Sequence, residues 1–139
     1  MPSEEKRILV VDDDAAIRTL LFTILRRRGL AVDVARNGEE ALERLRECIY
    51  VLMLLDLMMP VMSGWEVLDR LAGIDTARQP VVVVLTAGTE PRGVSPEFVA
   101  GSIRKPFDMQ LLLDTVTGCI AAVGARRQLA DCPPSETAN

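Results

Sequence analysis

The stretch VLMLLDLMMPVMSGWEVL, residues 51–68, decides the fold. Five apolar residues, Val51 to Leu55, run without a polar break into Asp56. An unalternated run of this length predicts a strand buried on both faces, as in a parallel sheet covered by helices. Met58 to Met62 form a Pro-containing loop, and Ser63 followed by Glu66 is a capping box that restarts the chain as a helix. A carboxylate at the end of a buried strand is seldom left alone. The rest of the chain has to supply its company.

Two more runs share this character, Ile8 to Val11 and Val81 to Leu85. Ala31 to Ala35, which includes Asp33, and Gly101 to Arg104 are weaker strands that suit edges, where one side meets solvent. Helical patterns lie between them. Ile17, Leu20, Leu21, Ile24 and Leu25 make an apolar stripe stopped by Gly29. Asn37 with Glu40 opens a second helix through Ala41, Leu42 and Leu45. The helix from Ser63 ends near Gly73, and Asp108 caps a last one carrying Leu112, Val116, Cys119, Ile120 and Val123. The link from Thr89 to Ala100 contains Pro91, Gly93 and Pro96, so the fourth helix of the pattern is expected to be short, Pro96 to Ala100. Alternating strand and helix implies right-handed crossovers. The predicted fold is α/β, a doubly wound five-stranded parallel sheet in the order 2-1-3-4-5. Residues 1–5 read as a tail, 6–124 as the single domain, and 125–139, with Pro133-Pro134, as a disordered tail.

Composition narrows the function. The 139 residues are 49% hydrophobic, 26% charged and 4% aromatic, with net charge −4. The one basic run, Arg26 to Arg28, closes a predicted helix where cations suit the dipole, so no nucleic-acid partner is expected. No apolar run approaches the roughly 20 residues of a membrane span, and MPSEEKR lacks a signal-peptide layout. A cytoplasmic protein without membrane insertion follows. Cys48, Cys119 and Cys132 are scattered and odd in number, which disfavours a zinc site or disulfide framework; Cys48 and Cys119 fit as small core residues. Histidine is absent, which removes His-based nucleophiles, general bases and most transition-metal sites.

In an open parallel sheet, ligands bind beyond the carboxyl ends of the strands, where strand order reverses. The first strand ends in Asp12-Asp13-Asp14, the third in Asp56, the fourth in Thr86 and the fifth in Lys105-Pro106. Singly each is ordinary: an N-cap and acidic helix start, a turn residue, a strand end, a surface charge. Together they bring three carboxylates, a hydroxyl and an ammonium to one end of the sheet. Carboxylates about 4 Å apart repel by roughly 4 kcal/mol per pair at an effective dielectric near 20. Such a cluster protonates or binds a cation. Oxygen donors without His or Cys suit a hard ion, Mg²⁺ first. A carboxylate can also accept a phosphoryl group as an aspartyl phosphate, with Lys105 and Mg²⁺ stabilising the transferring charge.

With ILVVDDDAAIR, LLDLMMPVMSGWEVL, VVVVLTAG and IRKPF in this order, the chain resembles a response-regulator receiver domain of bacterial two-component signalling over about residues 6 to 124. The resemblance implies a flavodoxin-like receiver fold with Asp56 as phosphoacceptor. It places Asp12, Asp13, Asp56 and the backbone carbonyl of Met58 at a Mg²⁺ site. Thr86 becomes the switch hydroxyl and Lys105 its phosphoryl-pairing cation. Ala87 and Pro106 flank the pocket, the latter after a peptide that is commonly cis in the family. The implied donor is a histidine kinase or histidine phosphotransfer protein, and the output an unidentified downstream protein. A stand-alone, single-domain type with no attached effector is expected. The alternative is a receiver-fold binding module that acts independently of phosphorylation. An aspartate-nucleophile phosphohydrolase is disfavoured, because Met58 stands where such enzymes commonly carry a second Asp; the chain is read as no enzyme. One departure concerns output. The family usually has Tyr or Phe three residues before the lysine, and here that position is Ser102.

Overall fold

The computed structural model describes residues 7–75, 78–87 and 99–124. Five strands, β1 (Arg7–Val11), β2 (Ala31–Ala35), β3 (Leu52–Asp56), β4 (Val81–Thr86) and β5 (Val99–Arg104), form one sheet in the order β2-β1-β3-β4-β5. Every neighbouring pair is parallel, as the unalternated apolar runs require.

Both faces of the sheet are covered because successive side chains point to opposite sides. Leu9, Val11, Met53, Leu55, Val82 and Val84 pack on one side against Ala41 and Leu45 of α2 (Gly38–Glu47) and Val67, Leu68 and Leu71 of α3 (Gly64–Leu71). Ile8, Val10, Leu52, Leu54, Val83 and Leu85 pack on the other against Leu21 and Leu25 of α1 (Ala15–Arg27) and Leu112, Val116 and Ile120 of α4 (Met109–Gly124). No helix among the described residues is long and apolar enough to cross a membrane.

Local chemistry sets the helix ends. The Asp14 carboxylate accepts from the N–H groups of Ala16 and Ile17, filling two of the donors a helix start leaves open. Arg26 and Arg27 occupy the last turn of α1, and Gly29 follows at φ 82°. Asn37 caps α2, Ser63 and Glu66 form a complete capping box on α3, and Asp108 accepts from Gln110 and Leu111 at the start of α4.

Three expectations change. Asp33 lies on an edge strand but is buried, 5% exposed, because Arg7 and Tyr50 enclose its carboxylate. β5 begins at Val99 rather than Gly101, with a bulge at Ala100 opposite the step from Val82 to Val83, so Val99 and Ala100 are strand and not the end of a short helix. Residues 88–98, which hold the remainder of that fourth connection, lie outside the described residues, as do 1–6 and 125–139. Cys48 is buried and disulfide-bonded, contrary to the spacing argument, while Cys119 is a free thiol.

Candidate functional site

β1 and β3 are adjacent at the centre of the sheet, and the connections leaving them run to opposite sides. A crevice opens at such a reversal beyond the strand ends. Asp12 is the first residue past β1, its N–H still donating to Ala35 O at 3.2 Å. Asp56 is the last residue of β3 and pairs in register with Leu85. Thr86 ends β4 one step later, buried. Its carbonyl accepts from Lys105 N at 2.8 Å, which carries the β4–β5 ladder one residue past β5 and aims Lys105 at the crevice. The Lys105–Pro106 peptide is cis.

The side chains converge. Oxygen atoms of Asp12, Asp13 and Asp56 all lie within 4.8 Å of one another. Lys105 Nζ stands 3.0 Å from Asp12 Oδ2 and 3.5 Å from Asp56 Oδ2. Asp12 Oδ1 accepts from Asp14 N at 2.9 Å, and Asp56 Oδ1 from Met58 N at 3.1 Å. Asp12 and Asp56 are buried and Asp13 is exposed, so the pocket is open on one side.

Three carboxylates face one ammonium, and the protonation energetics show the imbalance. Burial pushes the Asp56 carboxyl up to about 6; the Met58 N–H opposes this, the Asp12 charge adds to it, Lys105 opposes it, and Asp13 adds again. Burial also works against the Lys105 ammonium, but Asp12 and Asp56 outweigh it and raise the lysine. Asp12 Oδ2 is sealed from solvent and accepts no hydrogen bond of regular geometry, only the ion pair with Lys105. A buried, under-partnered carboxylate oxygen among further carboxylates fits a hard cation. Asp12, Asp13 and Asp56 are the residues that could hold it.

The remaining sequence candidates are placed less centrally. Met58 contributes its N–H, and the residue is 69% exposed. Ala87 follows Thr86 at the surface, and Pro106 is exposed. Ser102 is exposed on β5, in register with Val84 and two residues short of the strand end.

Three contributors escaped the sequence reading. Gly64 opens α3 so close to β3 that a Cβ there would lie 2.5 Å from the Asp56 carbonyl oxygen and 2.6 Å from Leu57 Cα. A glycine directly after a Ser cap was the available signal. Val61 sits at φ 70°, spanned by a Met62 N–H bond to Pro60 O at 2.7 Å; this three-residue turn is a strained one for a β-branched residue. Arg18 donates from Nη1 to the Asp12 carbonyl oxygen at 2.8 Å, and no local pattern announced it.

A doubly wound parallel sheet with an acidic, lysine-bridged crevice at its reversal point defines the receiver class of fold. The family model described as "Response regulator receiver domain" matches residues 8–117, and the chain belongs to that family. The chain is 42% identical over 108 residues to the transcriptional regulatory protein ResD of Bacillus subtilis, covering 76% of this chain and 44% of ResD. It spans about half the length of the curated relatives it matches. Among solved structures it is similar to the response regulator protein TrrA of Thermotoga maritima in complex with Mg²⁺ and BeF, at TM-score 0.73 and 36% identity, covering 82% of this chain and 98% of that one. TrrA in complex with the histidine kinase ThkA is also similar, at TM-score 0.70 and 35% identity, covering 83% of this chain and 98% of that one.

Proposed function

We propose that this receiver domain accepts a phosphoryl group on Asp56 and signals through protein–protein contacts. The observation that carries the reading is the convergence of Asp12, Asp13, Asp56 and Lys105 on one crevice. An ionised Asp56 oxygen attacks phosphorus, the bond from phosphorus to the donor nitrogen or acyl oxygen breaks, and the electron pair leaves with the donor. Asp12, Asp13, Asp56 and the Met58 carbonyl would hold Mg²⁺, which when bound would supply charge neutralisation for the transferring group. Lys105 holds Asp56 as its carboxylate and then pairs with the phosphoryl oxygens. The Met58 N–H, already on Asp56 Oδ1, orients the nucleophile. Thr86 is the hydroxyl that turns toward the new charge of roughly −1.5 to −2, and Ala87 and Pro106 flank the pocket.

The donor is a histidine kinase or phosphotransfer protein, and none of these 139 residues is a histidine that could serve; the binding of TrrA to ThkA is the supporting parallel. The recipient is another protein in the cytoplasm, with no nucleic acid bound by this domain. Phosphate-ester turnover is not part of the reading, because Met58 carries no carboxylate. A second reading, partner binding independent of phosphorylation, draws on Ser102, which leaves β5 without the aromatic that would move with Thr86.

The test is incubation with Mg²⁺ and a small acyl phosphate, followed by intact-mass and peptide spectrometry. One phosphoryl group on Asp56, absent from Asp56→Asn, supports the proposal. No adduct contradicts it. An adduct that leaves the affinity for captured partners unchanged favours the second reading.

A further inference from the structure

The peptide joining Asp12 to Asp13 lies just past the end of a strand. Pairing of β1 with β3 stops at Val11 and Leu55, and the Asp12 N–H makes the last bond toward β2. Beyond that rung no strand neighbour among the described residues takes up the Asp12 carbonyl. Arg18, half-buried on α1, reaches back across the first turn of its helix and donates to that oxygen at 2.8 Å. Asp12 is therefore held at both of its backbone groups, its N–H by β2 and its C=O, which belongs to the peptide to Asp13, by a guanidinium through a charge-assisted bond of the stronger kind.

Position and charge pull in opposite directions here. A cation one peptide away from a cation-seeking pocket repels the ion it serves. Rotation of the same peptide would swing both flanking carboxylates, so a donor that fixes it preorganises two metal-facing groups at once. We propose that Arg18 is a positioning residue for cation binding, acting through the Asp12–Asp13 peptide without touching the ion. The inference rests on the proposed Mg²⁺ site and adds a residue to it.

Calorimetric Mg²⁺ titration of the full chain separates the two influences. Arg18→Met keeps the aliphatic stem and removes donor and charge; Arg18→Lys keeps a charged donor. Positioning predicts that Arg18→Met weakens Mg²⁺ binding about tenfold, the lower end of what a lost outer support costs because removed repulsion offsets part of it. Arg18→Lys should recover most of that loss. In acyl-phosphate labelling, the half-saturating Mg²⁺ should rise by the same factor in Arg18→Met while the limiting rate at saturating Mg²⁺ stays near wild type. Equal or tighter Mg²⁺ binding by Arg18→Met overturns the role. Should Arg18→Met fail to fold by circular dichroism, Arg18→Gln carries the same comparison, with weaker binding in support and equal or tighter binding against. Wild type that binds no Mg²⁺ overturns the metal site together with this inference, whereas wild-type binding with an indifferent Arg18→Met overturns Arg18 alone.

Discussion

Two buried charge clusters occupy opposite ends of the same sheet. Toward the amino end of the strands, Arg7 Nη1 lies 3.5 Å from Asp33 Oδ1, and the Tyr50 hydroxyl donates to Asp33 Oδ2 at 2.6 Å. All three residues are at most 5% exposed. The Arg7 guanidinium faces the Asp33 carboxylate, and burial first, then the Asp33 carboxylate, pushes the Tyr50 phenol up and keeps it a donor. At the carboxyl end, three carboxylates share one lysine and remain partly open to solvent. The Arg7–Asp33–Tyr50 cluster is buried throughout and reads as a structural tie. The unbalanced one holds charge that the fold does not neutralise, and that surplus is what a ligand can use.

Breaking the closed cluster should have the largest effect. Asp33→Ala removes the carboxylate that faces both Arg7 and Tyr50, and denaturant unfolding should show a loss of about 3–5 kcal/mol, the usual cost of removing one member of a buried ion pair. A loss under about 1 kcal/mol, as for exposed pairs, would mean that the cluster is not closed.

The same operation at the open end should go the other way. Burial raises the folded-state value of Asp56 to about 6 from its ordinary 3.8. Below the lower value it is protonated in both states and its contribution is fully present. As pH rises through the folded value, the native state must ionise a group it holds poorly, and that contribution is lost. Without Mg²⁺, Asp56→Asn should therefore match or exceed wild type near neutrality, by a margin on the order of 2 kcal/mol. Urea midpoints at pH 4 and pH 7.5 check this: the advantage of the variant should grow between them. A constant difference would show that Asp56 is not under electrostatic pressure.

The smallest expected effect concerns backbone strain, which also gathers at the open end. Val61 is the only non-glycine residue at positive φ among those described. Val61→Gly relieves the clash but loosens the unfolded chain, so a net gain of about 0.5–1 kcal/mol is expected. A thermal melt that shows a loss would mean that Val61, 81% exposed as a residue, contributes contacts worth more than the strain.

These two ends also differ in how far the sequence disclosed them. The open end was legible because period and punctuation coincide there: apolar runs stop at Asp12, Asp56 and Thr86, and capping chemistry begins at Asn37 and Ser63. Parallel topology then gathers the strand ends without further information. The closed end was not legible. Asp33 read as an edge-strand residue, Arg7 and Tyr50 carried no local signal, and only register brings the three together. Arg18 and Gly64 were missed for the same reason, since a contact across one helical turn or between helix and strand leaves no local periodicity. The start of β5 was misplaced because Val99-Ala100-Gly101-Ser102 has neither a strong strand run nor an apolar alternation, and its bulge depends on pairing with β4.

The claim that the carboxyl end is built for a cation is tested most directly by thermal unfolding of wild type at pH 7.5 with and without Mg²⁺. A ligand at 100 times its Kd adds about 2.7 kcal/mol to the native state, which for a domain of this size raises Tm by roughly 5 to 10 °C. The rise should appear in wild type and vanish in Asp56→Asn. No shift in wild type, or an equal shift in both proteins, would contradict the account.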